Sequence, residues 1–412
     1  MTDLDHSGEG STFRSLHVRN FRLFFVGQLI SQVGNWLTLV AQTLLILKLT
    51  NSGLAVGFLA ACQFLPVLLF GVWTGLVADR ADKRKLLLIV QTFAMFQSFA
   101  LAGLAFMHRP PIAALYVIAL AGGFATAFDN PTRRAFVVEM VPHDHVQNAV
   151  SMNSALMTGA RIVGPALAGL LISTVGYGWA FTTDGLSYLA VLAGLWMMRP
   201  AELHRAAPTP RSKGQIREGL RYARSVPDLW VPLVMMTIVG TLAFNFTVVM
   251  PLFVKRTLHG TDTTYTLLYS FVSVGSLASA LYTARRKEAT VRNVTIGAGA
   301  FGVALLAFAA SPNLPLAFPF ALGVGFTSIL FMTASTAIVQ LRADPAMRGR
   351  VLALQAIVFL GSTPIGGPLL GWVCEQWGAR VGFAVGGVGG LCAAAWGYLA
   401  TRPHPEVAIA TG

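Results

Sequence analysis

The chain has 412 residues, 55% of them hydrophobic and only 11% charged, with a formal net charge of +13. Soluble domains carry about 25% charged residues, so a soluble enzyme or a soluble binding module is excluded. The charges fall in short bursts between apolar runs of about 20 residues, the length of a helix across a bilayer. β-Barrel strands would be about half as long and would alternate in polarity.

Residues 1–20 read as a polar tail. The opening MTDLDHSGEGST carries acids and no apolar core, so it is not a cleavable signal. The first span, Phe21–Leu47, holds Gln28, Gln32, Asn35 and Gln42 on one stripe about 80° wide. Amides facing lipid would go unsatisfied, so the stripe faces protein or water. Gln28, Gln32 and Asn35 are candidates for a substrate-cavity wall; the alternative is hydrogen bonding between helices. The second and third spans, Leu54–Val77 and Leu86–Met107, flank the loop GLVADRADKRK, Gly75 to Lys85. This loop resembles the signature between helices 2 and 3 of the major facilitator superfamily. Gly75, Asp79, Arg80, Lys83, Arg84 and Lys85 fit it, and Asp82 replaces the usual second glycine. The resemblance implies an all-α membrane protein of twelve helices in two pseudo-symmetric six-helix halves, with a substrate site between them near the midplane. It also implies that Gly75, Asp79, Arg80, Lys83, Arg84 and Asp129 form a cytoplasmic gate. Asp79 would cap helix 11 near Gly349–Val351, and Arg80 would pair with Asp129.

The fourth span, Ile112–Phe128, brings Phe124 and Phe128 toward the expected cavity and leaves Asp129, Arg133 and Arg134 at its inner end. The fifth, Ala149–Thr174, carries Asn153 and, about 18 Å in, Arg161. An arginine at that depth marks a functional site by default. It would bind an anionic or carbonyl-rich substrate group, or hold a carboxylate. Gly159, Gly164, Pro165 and Gly169 resemble the helix 5 signature of the superfamily's drug–proton antiporters, with Ala160 and Ala168 beside them. Small residues permit close approach, here to the matching helix of the other half, where Gly361, Pro364, Gly366, Gly367, Pro368 and Gly371 repeat the theme. The sixth span, Trp179–Met198, contains Asp184, the one carboxylate at appreciable depth and the candidate for proton coupling.

Residues 21–198 thus form one six-span half. Residues 199–228 are a polar linker with Gln215–Arg224 helical along the membrane surface. Residues 229–401 form the second half, in spans Leu229–Phe253, Thr266–Thr283, Val294–Ala310, Leu314–Val339, Val351–Val373 and Val381–Ala400. Residues 402–412 are a second tail. Asn245, Tyr269 and Gln355 are the polar cavity candidates of this half, with Phe244 and Phe246 beside Asn245. A shift of 202 positions maps Gly159, Gly164, Gly169, Gly176 and Phe181 onto Gly361, Gly366, Gly371, Gly378 and Phe383, Asn153 onto Gln355, and Lys83–Lys85 onto Arg285–Lys287. Alternate loops and tails hold 24 basic residues and the opposite loops 5, which places both termini in the cytoplasm.

Cys62, Cys374 and Cys392 sit in apolar runs, and all 8 histidines lie in loops or tails, so no metal site is expected. A membrane-embedded enzyme would need a nucleophile with a base at depth, and none is available. FDNPTRRAFVVEMVP and RGRVLALQAIVFLGSTPIGGPLLGW resemble the subgroup of bacterial macrolide efflux pumps and the enterobactin exporter. That resemblance implies a proton-coupled exporter of amphipathic small molecules in a bacterial inner membrane, a monomer needing no cofactor beyond the proton gradient. Uptake, or movement of lipid or fatty acyl compounds by the same fold, stays open.

Overall fold

In the computed structural model, residues 13–204, 215–284 and 290–401 are described. Among them every regular element is helical. The first set is α1 (Arg19–Thr50), α2 (Gly53–Arg80), α3 (Lys83–Phe106), α4 (Ile112–Glu139), α5 (Val146–Thr174) and α6 (Tyr177–Trp196). A short helix, α7 (Gln215–Ser225), follows. The second set is α8 (Pro227–Leu242), α9 (Phe246–Leu252), α10 (Asp262–Thr283), α11 (Val291–Ala309), α12 (Leu314–Arg342), α13 (Pro345–Trp377) and α14 (Ala379–Ala400). Among the described residues 11 segments are long and apolar enough to cross a membrane, α8 and α9 counting as one with the π-turn that follows. Helix α6 has 20 residues, about 30 Å of rise, but its tyrosines, threonines and Asp184 keep it out of that class. The copy of the loop signature at 285–287 and residues 205–214 of the linker lie outside the described residues.

The second set's first span is not continuous. Helix α8 stops at Leu242, Asn245 stands at φ −95°, ψ 45°, and α9 restarts at Phe246 before a π-turn at Phe253–Thr257. Helix α4 runs eleven residues past the expected end at Phe128, to Glu139, because Asp129, Asn130 and Arg133 find partners within the bundle. Helix α13 begins six residues earlier than expected. The Asp344 side chain caps it by accepting the Ala346 N–H at 2.8 Å. The internal duplication is visible in backbone geometry: Gly176 and Gly378, 202 apart, precede α6 and α14 at φ 87° and 86°, conformations that favour glycine.

The two sets meet along α2–α13 and α5–α10. The small-residue helices α5 and α13 were expected to bear on each other. Instead each packs on the second span of the other set. A Cβ on Gly169 would collide with Thr266 of α10, and Cβ atoms on Gly57 and Gly371 would collide with the backbone of Gly367 and Gly53. Gly164 packs inside its own set, against Trp36 and Val33 of α1, and Gly366 against Thr241 of α8 and Asn245 in the break after it, while Gly159 has open space around it. Pro368 lies against Gly57.

Gly57→Leu is expected to destabilise the purified protein by about 1–3 kcal/mol through overpacking of this seam, seen as a lower melting temperature in detergent. Gly71→Leu, on the same helix where a Cβ meets nothing within 4 Å, should melt like the parent. Equal melting of both variants would show that α2 and α13 do not need this close approach.

Candidate functional site

The polar residues of the first set gather in several places along α1. One lies on the basic side of its midpoint, toward the end that carries the α2–α3 turn. There Gln32 donates to Gln28 at 3.0 Å, and Arg133 of α4 reaches the same Gln28 oxygen at 3.5 Å. Arg133 also pairs with Asp129 at 3.0 Å, and Gln91 of α3 donates to Asp129 at 2.7 Å. Gln28, Gln32, Gln91 and Arg133 are all buried. Asp129, expected to pair with Arg80, meets Arg133 instead. The longer α4 turns Arg133 inward one helical turn from Asp129, the spacing at which an arginine and a carboxylate meet.

Farther along α1, the Asn35 oxygen accepts from Tyr188 of α6 at 2.8 Å, and Gln42 joins Gln63 at 2.9 Å and the Leu115 carbonyl at 3.3 Å. The stripe therefore faces protein, and Gln42 serves helix packing. Asp184, fully buried, accepts from Thr38 at 2.6 Å and Ser98 at 2.7 Å, both on its Oδ2. It lies among α1, α3 and α6, away from the seam between the sets.

Arg161 stands at the seam, at the middle of α5. Its guanidinium lies over the Trp36 ring at 5.6 Å, and the Trp36 ring is 6.1 Å from Tyr269 of α10. The Tyr269 hydroxyl faces the guanidinium, and Tyr265 adds a second ring 6.2 Å from Tyr269. Ser270 donates across the same seam to the Ile162 carbonyl at 2.9 Å. The Arg161 Nε is buried with no hydrogen-bond partner, and no ion pair joins Arg161 among the described residues. Among the described residues no carboxylate is paired with Arg161. What the arrangement offers is an aromatic-walled cation at mid-helix depth.

The remaining candidates do not converge on Arg161. Phe124 and Phe128 stack on Phe70 and Trp73 of α2 at 5.3 and 5.5 Å. Asn153 lies on α5 more than two turns before Arg161. Gln355 donates to Ser335 at 2.9 Å inside the second set, and Asn245 donates to Thr241 at 2.8 Å with its own oxygen unpartnered. Phe244 centres a ring cluster with Phe246, Phe301 and Phe359.

The loop expected to gate the basic end is a two-residue turn, Ala81–Asp82. Gly75, Asp79 and Arg80 belong to the last turns of α2. Lys83 pairs with Glu139 at 2.6 Å, and Arg84 donates to the Leu195 and Trp196 carbonyls at 2.7 and 3.1 Å, satisfying the end of α6. These contacts bind α3 to α4 and α6. The α13 terminus that Asp79 was expected to cap lies at Pro345 and belongs to Asp344, since Gly349–Val351 are already inside the helix.

The opposite end carries a latch that the sequence reading missed. The Gly53 N–H, at the start of α2, donates to Glu375 of α13 at 2.5 Å. Arg256 bridges Glu375 at 3.5 Å to the Asn51 carbonyl. Tyr177, at the start of α6, donates to Asp262 of α10 at 2.8 Å, Lys255 pairs with Asp262 at 2.5 Å, and Lys48 lies 5.2 Å above the Tyr177 ring. Arg380 donates to the Ala309 carbonyl at 2.6 Å. Four of the five basic residues that break the charge bias are thus structural, and that exception was the available signal.

Residues 10–410 match the family model for transmembrane secretion effectors. The chain belongs to that family of the major facilitator superfamily. It is 21% identical to the staphyloferrin A transporter of Staphylococcus aureus over 90% of this chain and 94% of that one. It is 22% identical to macrolide efflux protein A of Streptococcus pyogenes, over 91% and 94%, and 25% identical to the multidrug efflux pump Tap of Mycolicibacterium fortuitum, over 88% and 90%. Among solved structures it resembles a bacterial homologue of the human lysosomal transporter Spinster in an inward-facing, occupied conformation, at TM-score 0.73 and 16% identity over 96% and 98% of the chains. It also resembles a D-xylose–proton symporter, at TM-score 0.71 and 14% identity over 94% and 98%. The protein is a multi-pass membrane transporter and not an enzyme.

Arg133→Met leaves the Asp129 carboxylate buried without its counter-charge and is expected to cost about 3 kcal/mol or more, read as a lower melting temperature. The double variant with Asp129→Asn should recover most of that loss. An unchanged melting temperature in Arg133→Met would remove this pair from the framework of the first set.

Proposed function

We propose that this transporter is a proton-coupled exporter of amphipathic small molecules bearing an anionic or carbonyl-rich group, working by alternating access between two six-span halves, 21–198 and 229–401. The observation that carries the reading is Arg161, set at the seam between α5 and α10 with an aromatic wall and, among the described residues, no carboxylate paired to it. A guanidinium keeps its charge in almost any setting. At membrane depth it favours an anionic partner, and here the substrate would supply it. Trp36, Tyr265 and Tyr269 give the apolar contact that an amphipathic body needs. Relatives named for macrolide efflux, multidrug efflux and staphyloferrin A transport support amphipathic cargo and export.

Membrane orientation follows from charge. The basic end faces the cytoplasm of a bacterial inner membrane, with both termini inside. The Glu375–Gly53 and Tyr177–Asp262 latches are then an outer gate, closed here, and the central site is to be loaded from inside. Asp79 and its loop take the reciprocal part at the inner end. Glu375 acts as a helix cap: its carboxylate accepts the Gly53 N–H at the start of α2. Contacts that exist in one state only bias the equilibrium between states. Asp184 is the proposed proton carrier, being a deep carboxylate held by hydroxyls alone among the described residues.

Three outcomes are expected in proteoliposomes. Arg161→Ala should insert normally and lose export by more than tenfold; full export would make the charge structural at most. Asp184→Asn should lose transport driven by a pH gradient and keep substrate binding, and unchanged proton-driven flux would take it out of the mechanism. Glu375→Gln should lengthen the spin-label distance between Leu54→Cys and Trp377→Cys, since a charge-assisted bond of about 1.5–3 kcal/mol is lost. Superimposable distance distributions would show that the latch does not hold the outer end.

A further inference from the structure

Helix α7 packs on α8 and α13 and has two faces of different kind. The inner face is held. Gly219 lies against Arg350 of α13, where an added Cβ would come within 3.1 Å of the Arg350 side chain, and Ala223 is fully buried. The Tyr222 hydroxyl accepts the Asp344 N–H at 2.9 Å, and Glu218 pairs with Arg350 at 2.7 Å. These contacts fix the rotation of α7 on the start of α13.

The opposite face consists of Arg217, Leu220, Arg221 and Arg224, all exposed. At 3.6 residues per turn they share an arc about 100° wide. Among the described residues no carboxylate is paired with these three arginines, and the one acid of the helix, Glu218, is taken by Arg350. Arg224 sets the level of this face. Its guanidinium lies over the Trp230 ring at 5.6 Å, and Trp230 stands in the first turn of α8. A tryptophan at the end of a membrane span sits at headgroup level. One residue, Val226, separates α7 from α8, so the helix cannot leave that level. The free face therefore holds three guanidiniums and a leucine at the height of the lipid headgroups.

We propose that this face of α7 is a docking surface for the headgroups of anionic phospholipids in the leaflet at the basic end of the bundle. Guanidinium donors match phosphate oxygens two at a time. An anionic headgroup answers their charge, whereas a zwitterionic one brings its own cation to the same place. Leu220, set among the arginines, would enter between headgroups as the apolar residues of interfacial helices do. The surface is separate from Arg161 and from the seam, and the inference rests on neither export nor proton coupling.

The test is hydrogen–deuterium exchange of the full-length protein in nanodiscs, with no substrate and no gradient. Nanodiscs of phosphatidylcholine alone are compared with nanodiscs in which one-quarter of the lipid is phosphatidylglycerol. Peptides covering Gln215–Val226 are expected to exchange roughly tenfold more slowly with phosphatidylglycerol present. In about 1 M salt, where the Debye length is about 3 Å, most of that difference should vanish. The triple variant Arg217→Gln, Arg221→Gln, Arg224→Gln keeps Tyr222 and Glu218 and should exchange alike in both lipids. Arg221→Glu alone should lose most of the difference and serves if the triple variant does not fold. Equal exchange of the parent protein in the two nanodiscs would overturn the proposal, as would a full difference in both variants. Equal protection by soluble glycerol phosphate in phosphatidylcholine nanodiscs would overturn it too, and would make the face a site for soluble anions.

Discussion

Hydrocarbon supplies no hydrogen bonds, and every polar group that enters it must find a partner in the protein. That constraint explains most of what this bundle does with its few polar side chains. Gln28, Gln32, Gln91, Asp129 and Arg133 form one connected cluster rather than five separate sites. Asp184 draws hydroxyls from α1 and α3 as well as α6. Each cluster fixes the rotation of the helices that feed it, since a turned helix would present a stranded amide or charge to lipid. Packing of glycine against backbone does the rest. The α2–α13 and α5–α10 seams are close because small residues let them be.

Against that background the unsatisfied groups stand out. Among the described residues the Arg161 guanidinium is paired with no acid, and its Nε has no hydrogen-bond partner. It is also on the seam, flanked by rings of both sets. A groove that must open and close is the place where a permanent internal partner would be a hindrance, since the pair would have to break in each cycle. A substrate that supplies the missing charge stabilises the state in which it is bound, and an energetic preference of this kind is what couples binding to a change of shape. The latch at the opposite end has the complementary property. Its members, Glu375 with Gly53 and Asp262 with Tyr177, are paired across the sets, so they hold one arrangement while they last.

Much of the candidate site was legible in the amino-acid order, and its limits have physical causes. Depth along a helix is a matter of counting, so Arg161 and Asp184 could be singled out from hydropathy alone. Rotation and partner identity are not. The stripe on α1 reads as one surface, yet Gln28, Asn35 and Gln42 meet three different helices, because α4, α6 and α2 cross α1 at different heights. Helix ends were misjudged where charge was taken for a loop. Asp129 and Arg133 neutralise each other inside α4, and the helix continues through them. Asp344 caps α13 about two turns before the apolar run begins. Both shift the expected inner contacts, since Asp344 caps α13 and Arg133 pairs with Asp129. The outer latch was missed because its residues are single charges in short loops, with no motif to mark them.

The sequence by itself determined the class of the molecule: apolar runs of spanning length, a strong charge asymmetry between alternate loops, a loop signature, and a repeat at 202 positions that the paired caps at Gly176 and Gly378 reproduce in backbone geometry. These are local or periodic properties, and each residue carries its share whatever it touches. Tertiary structure decided which helices meet. That α5 lies on α10 and α13 on α2, that Asn245 interrupts a span, and that Asp184 is met by hydroxyls from α1 and α3 depend on distances between residues far apart in the chain. Hydropathy fixes how deep a side chain lies in the membrane, but only the packed bundle fixes which neighbour answers it.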